Sequence, residues 1–170
     1  HKVWTVERGD VAVEDLSIGE HVALQGPGFG RRALGERLAV GIGVAVGDGC
    51  LARTYHGERV QEQVILTMAP EEAGVLAGIA GAVNEEKRLL RAVGMPGHPG
   101  DVHVSVGTGM STASRLAFGS QVVVDRFKEF AILDEGSHRK RFTEAIYDLD
   151  RPSLAGVLRG LFTADGTVAN

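Results

Sequence analysis

The stretches Gly41-Ile42-Gly43-Val44-Ala45-Val46-Gly47-Asp48-Gly49 and Leu158-Arg159-Gly160-Leu161-Phe162-Thr163-Ala164-Asp165-Gly166 decide how this chain is read. Each carries two small residues four apart, Gly43/Gly47 and Gly160/Ala164, followed at once by Asp-Gly. Small residues one turn apart let two helix backbones approach closely. Two such helices packed together would bring Asp48 and Asp165 to a common end. A carboxylate there faces the negative end of the helix dipole, which is unfavourable. Two carboxylates side by side make sense if a divalent cation sits between them. A single Asp-Gly after an apolar helix is ordinarily a cap and turn, with Gly49 in the left-handed conformation that closes a helix. The recurrence of the pattern, 117 residues apart, favours the functional reading.

Working outward, residues 34–47 and 153–164 read as the two helices. Between them, residues 50–56 and 60–68 have strand character and are joined around Gly57-Glu58 as a hairpin. Pro70-Glu71-Glu72 starts a helix, with Pro in the first turn and acids at the positive end. Val75, Leu76, Ile79, Val83, Leu90 and Val93 keep a near-3.6 period until Gly94. Residues 102–106 and 113–118 read as a second hairpin, and 121–130 as a short helix with Val123 and Phe127 inward. From residue 34 the order is helix, strand, strand, helix, strand, strand, helix, then the start of a repeat. Before it, residues 1–24 read as short strands broken by turns at Arg8-Gly9-Asp10 and 15–20. Residues 25–33, rich in Gly and Pro, read as a linker. The expected class is α+β.

Composition narrows the partners. Of 170 residues, 44% are hydrophobic, enough for a packed core. With 18 Lys+Arg against 22 Asp+Glu the net charge is −4, unlike a polybasic nucleic-acid binder, although a local basic face is compatible with it. One Cys excludes a disulfide framework and a Cys-based zinc site, and fits a reducing, cytoplasmic setting. The longest apolar stretch, residues 38–47, is too short to span a bilayer, so no membrane partner is expected. The chain opens on His1-Lys2-Val3-Trp4, without Met or signal segment, and its last residues read as the middle of an element, so it is taken as a fragment of a longer polypeptide.

At the paired Asp-Gly helices the chain resembles the LAGLIDADG homing endonucleases. Residues 158–166 match the family's nine-residue motif at Leu158, Gly160, Leu161, Ala164, Asp165 and Gly166. Residues 41–49 are the looser copy, with Val46 at the sixth position and Gly47 at the seventh. The resemblance covers residues 34–170 and implies an αββαββα unit, truncated after the second motif, whose hairpins grip double-stranded DNA. It implies that the last acid of each motif, Asp48 and Asp165, binds catalytic Mg²⁺. The first 24 residues resemble the splicing (Hint) segment of inteins, through Val3-Trp4-Thr5 and the stretch from Val11 to Glu20, with His1 at the splicing histidine. Lys140-Arg141-Phe142-Thr143-Glu144 resembles the inteins' block before the second motif, with Thr143 where Pro is usual. The partners implied are DNA, and the rest of the intein and its host protein in the same chain.

The resemblance implies Mg²⁺-dependent hydrolysis of DNA phosphodiesters on both strands, with Asp48 and Asp165 as metal ligands and catalytic groups. Lys140, which precedes the second helix, is the candidate assisting base or cation. The same run, His138-Arg139-Lys140-Arg141, reads equally as a solvated charge run, or as Arg139 and Arg141 contacting phosphates. Recognition would use hairpin strands in the major groove. On residues 60–68 alternation sets Gln61, Gln63 and Thr67 opposite Val60, Val64, Leu66 and Met68. Arg53 and Tyr55 share a face on the partner strand, and the second hairpin adds Arg115. Polar residues on an exposed strand face are also the ordinary state. The fragment alone is expected to cut poorly and not to splice. Competing readings are a catalytically degraded insert that only binds DNA or serves a structural role, and an unrelated α+β domain with two coincidental caps.

Overall fold

Residues 35–48 lack any side-chain N-cap, yet the run from Leu38 to Gly47 is buried almost throughout, so packing rather than capping holds this helix. In the computed structural model, which describes residues 2–22, 28–95, 100–107 and 113–166, it spans Glu36–Asp48 (α1). Ahead of it, Lys2–Thr5 (β1) and Gly9–Ala12 (β2) form an antiparallel pair, with Gly9 at φ +71 where the turn enters β2. After it, Gly49–His56 (β3) and Arg59–Met68 (β4) form the expected hairpin. Gly57, at φ +63, leads the two-residue turn, where a tight hairpin takes glycine.

Pro70–Glu72 forms a 3₁₀ turn before Ala73–Ala92 (α2), which ends short of Gly94 at φ +78. Val93, expected on the helix's inner row, lies beyond its end and is exposed. Val104–Val106 (β5) pairs with Ser114–Phe118 (β6), and β6 pairs with β4, so four antiparallel strands run in the order β3-β4-β6-β5. Gln121–Phe130 (α3) buries Val123 and Phe127 as the period predicts. Ala131–Ile132 (β7) and Arg141–Phe142 (β8) make a short pair the sequence did not suggest.

The last helix, Arg151–Asp165 (α4), starts two residues earlier than expected. Asp150 caps it by accepting from the Ser153 N–H at 2.9 Å, and Pro152 occupies the first turn.

One face of the sheet packs on α1, α2 and α3. Val64, Leu66, Leu116 and Phe118 on that face are fully buried with Leu76, Val83, Val123 and Phe127. Phe118 and Phe127 meet with ring centroids 5.0 Å apart and planes tilted at 60°. The Arg53 side chain, expected among the base readers, lies on this covered face. It pairs with Glu62 at 2.9 Å and Asp134 at 2.7 Å, while Lys128 of α3 takes the other Glu62 oxygen at 2.7 Å.

The segment expected as a linker is partly docked. Arg32 N–H donates to Asp148 O and Asp150 N–H donates to Arg32 O, both at 2.9 Å. The Arg32 guanidinium bonds Glu129 and covers the Phe130 ring at 4.8 Å. A Cβ on Gly30 would lie 1.9 Å from Asp148 O, so only glycine permits that crossing. No helix among the described residues is long and apolar enough to cross a membrane.

Candidate metal centre and nucleic-acid interface

α1 and α4 pack backbone against backbone. A Cβ on Gly43 would lie 2.0 Å from Val157 O, and one on Gly160 would lie 2.0 Å from Val40 O. Gly156 continues the seam, its Cβ position 3.0 Å from the Ala39 methyl, a third contact that sequence reading passed over although it lies four residues before Gly160. The seam runs to the ends of the helices. There a Cβ on Gly47 would lie 2.5 Å from the Ala164 Cβ and 3.4 Å from Asp165 Oδ2.

Both Asp48 and Asp165 are the last residues of their helices and both are exposed. The glycines that follow do not close the helices as expected. Gly49 has φ −94 and Gly166 φ −72, both extended, with N–H donating to Ala45 O and Phe162 O. Gly49 is required for space instead: a Cβ there would sit 2.5 Å from Ala45 Cα. Helix therefore passes directly into β3 at Asp48, and the carboxylate is held where helix, strand and partner helix converge.

Partial desolvation and the nearby Asp165 carboxylate raise the Asp48 pKa above its ordinary value, while the Lys140 ammonium opposes the rise. Lys140 comes off the loop between β7 and β8. Its Nζ donates to Gly47 O and, at 3.2 Å, to Gly49 O. A lysine at the α1 C-terminus satisfies orphan carbonyls and complements the dipole there. Its ammonium is thereby fixed near Asp48.

Two carboxylates suit Mg²⁺, which takes one or two from a protein and fills its other positions with water or phosphate oxygens. Among the described residues no group of three or more His, Cys, Asp or Glu side chains converges on one point, so no closed all-protein cage exists there.

Beside Asp48 opens a cleft of about 240 Å³ that Thr67, Met68, Ala69 and Ala113 also line. It leads onto the uncovered sheet face. Cross-strand register puts Gln61 opposite Thr54, Gln63 opposite Ala52, and Thr67 opposite Arg115, so Gln61, Gln63, Thr67 and Arg115 share that face. Register adds His56 and Arg59, which oppose each other beside the turn. Sequence reading passed over Arg59, although counting alternate residues back from Gln61 finds it.

Tyr55 is exposed at the far end of the other face, opposite Val60. Arg141 is occupied by Glu135 at 2.6 Å, whereas the Arg139 side chain is exposed and has no ion pair among the described residues. His1 lies outside the described residues, as do parts of the expected linker (23–27) and of the second hairpin's turn (108–112).

No protein-family model matches the chain, and no curated protein matches it either.

Proposed function

We propose that this chain is the endonuclease part of an intein, of the LAGLIDADG kind, which hydrolyses phosphodiesters of a long double-stranded DNA site with Mg²⁺. The observation that carries the reading is the glycine seam between α1 and α4, which ends with Asp48 and Asp165 adjacent across the pair. A shared end costs electrostatic repulsion in the free protein, and a divalent cation removes that cost.

In this reading Asp48 and Asp165 hold the cation. Bound there, Mg²⁺ supplies an acidified water and screens charge on the leaving oxygen. Lys140, held by the Gly47 and Gly49 carbonyls, adds a fixed positive charge next to the scissile phosphate. Gln61, Gln63, Thr67 and Arg115 offer donors and acceptors to base edges across the open strand face. The hairpin of β1 and β2 belongs, in the same reading, to the splicing part, with His1 in its splicing role.

A second reading keeps the fold and loses the chemistry. The open face carries only Arg59 and Arg115 as cations among its described strand residues, and the whole chain has net charge −4. Both features favour a degraded insert with weak phosphate attraction.

The deciding experiment uses the intact parent chain, Mg²⁺, and a plasmid with the uninterrupted host gene, beside Asp48→Asn and Asp165→Asn. One double-strand cut, lost in both variants, supports the endonuclease. No cut from a folded chain on a verified target supports the degraded insert.

A further inference from the structure

The sheet has a gap beside the proposed DNA face. β6 stops at Phe118, opposite Val64, and β5 begins only at Val104. Gln61 and Gln63 of β4 therefore look across an opening toward residues 100–102. The opening is a cleft of about 260 Å³, lined by Gln61, Gln63, Lys87, Asp101, Ser120 and neighbouring backbone. That is ample for a phosphate group with its waters, each of which occupies about 30 Å³ as liquid.

Two of its groups keep hydrogen-bonding capacity to spare. Lys87 is only 4% exposed, and among the described residues its Nζ donates to a single acceptor, Gly100 O, although an ammonium has three N–H groups. Ser120 is 8% exposed and is the N-cap residue of α3, yet its hydroxyl caps no N–H and has no hydrogen bond among the described residues. A buried serine at this position ordinarily accepts from the helix. Ser120 lines the cleft at the positive end of a ten-residue helix.

We propose that this cleft is an oxyanion site that takes a phosphate group through Lys87, Ser120 and the amides of Gln61 and Gln63. Lys87 supplies charge, Ser120 a hydroxyl donor, and the α3 dipole a favourable field. Burial lowers the Lys87 pKa, with Arg91 adding to the effect and Asp101 opposing it, and a bound anion would favour the charged form. Asp101, exposed at the rim, repels an anion and limits affinity. The phosphate can come from a duplex lying on the open face, which rests on the function proposed above, or from free anion.

The test measures Tm against inorganic phosphate, at ionic strength matched with chloride, for the wild type, Lys87→Met, Ser120→Ala and Asp101→Asn. In parallel, the salt slope of duplex binding is followed by fluorescence anisotropy. The expected result is a phosphate-dependent Tm rise in the wild type, absent in Lys87→Met and reduced in Ser120→Ala, with about threefold to tenfold weaker phosphate binding in the latter. Asp101→Asn should bind phosphate more tightly. Ser120→Ala, a small change outside the core, keeps the test valid if Lys87→Met does not fold.

A salt slope about one lower in Lys87→Met identifies a duplex phosphodiester. An unchanged slope with the Tm effect lost identifies free phosphate. No phosphate effect, or one equal in all variants, overturns the site. A wild type that binds no duplex overturns the DNA reading and leaves the phosphate arm to judge the cleft.

Discussion

Gly47 and Ala164 meet where α1 and α4 end, so closely that a Cβ on Gly47 would lie 2.5 Å from the Ala164 methyl. Each is followed directly by its helix's last residue, Asp48 or Asp165. Close backbone approach and carboxylate pairing are thus one feature. Without side chains at the seam the helices can touch, and because they touch the acids share one end.

That proximity makes Asp48 a liability in the metal-free protein. Its pKa is raised in the folded chain, so the native state binds its proton more readily than the unfolded state does. The resulting penalty is present above the folded pKa and relieved as pH falls toward 3.8, the ordinary value. Asp48→Asn should therefore raise Tm at neutral pH without metal, by about 1–3 °C, and abolish any stabilisation by Mg²⁺. Differential scanning fluorimetry with and without Mg²⁺ checks both. A lower Tm for Asp48→Asn would argue that the acids do not repel.

The seam itself tolerates no methyl group. Gly43→Ala or Gly160→Ala would drive a Cβ to 2.0 Å from a carbonyl oxygen of the partner helix, and backbone cannot yield as a side chain can. Each should cost more than about 3 kcal/mol. Gly78→Ala is the control. It lies within α2 with only the Arg37 side chain nearby, 3.8 Å from the added Cβ, and should stabilise by about 0.5–1 kcal/mol. Urea unfolding of the three variants would show opposite signs.

Glu62 holds two cations from different elements, Arg53 and Lys128. Lys128 and then Arg53 lower its pKa against the effect of burial. Its contribution to stability is present above 4.5, the ordinary value, and is lost as pH falls through the depressed folded value. Glu62→Gln should cost about 1–2 kcal/mol at neutral pH, the size reduced because both cations are partly exposed. The gap to the wild type should close in acid. A constant gap from neutral to acid pH would show that charge is not the cause.

Two arginines on opposite sheet faces should behave differently. If the open face takes DNA as proposed, Arg115→Ala should lower the salt slope of that binding by about one with stability unchanged. Arg53→Ala should lower stability and leave the slope alone, because that guanidinium is held by Glu62 and Asp134. Anisotropy titrations across salt concentrations, paired with thermal melts, separate the two roles.

Local chemistry in the chain was enough to define most elements. Alternation marked both hairpins, the 3.6 period marked α2 and α3, and repeated small-residue spacing marked α1 and α4 as partners. These are short-range rules of backbone geometry, legible wherever side-chain pattern and element period agree. Asp150 and Pro152 also signalled the true start of α4, though the apolar pattern drew attention two residues downstream.

Spatial relationships between distant segments were not legible. Cross-strand register assigned Arg53 to the covered face and Arg59 to the open one, since a strand's side chains gain inside or outside only when helices pack on one side. Lys140 came to the α1 terminus because the short β7–β8 pair returns the chain to that point. The Lys87 cleft exists because β6 ends opposite Val64 and leaves the first half of β4 unpaired on that side, a gap no single segment encodes. Residue spacing along a helix or strand is a local quantity, whereas burial and charge pairing depend on which remote segments meet.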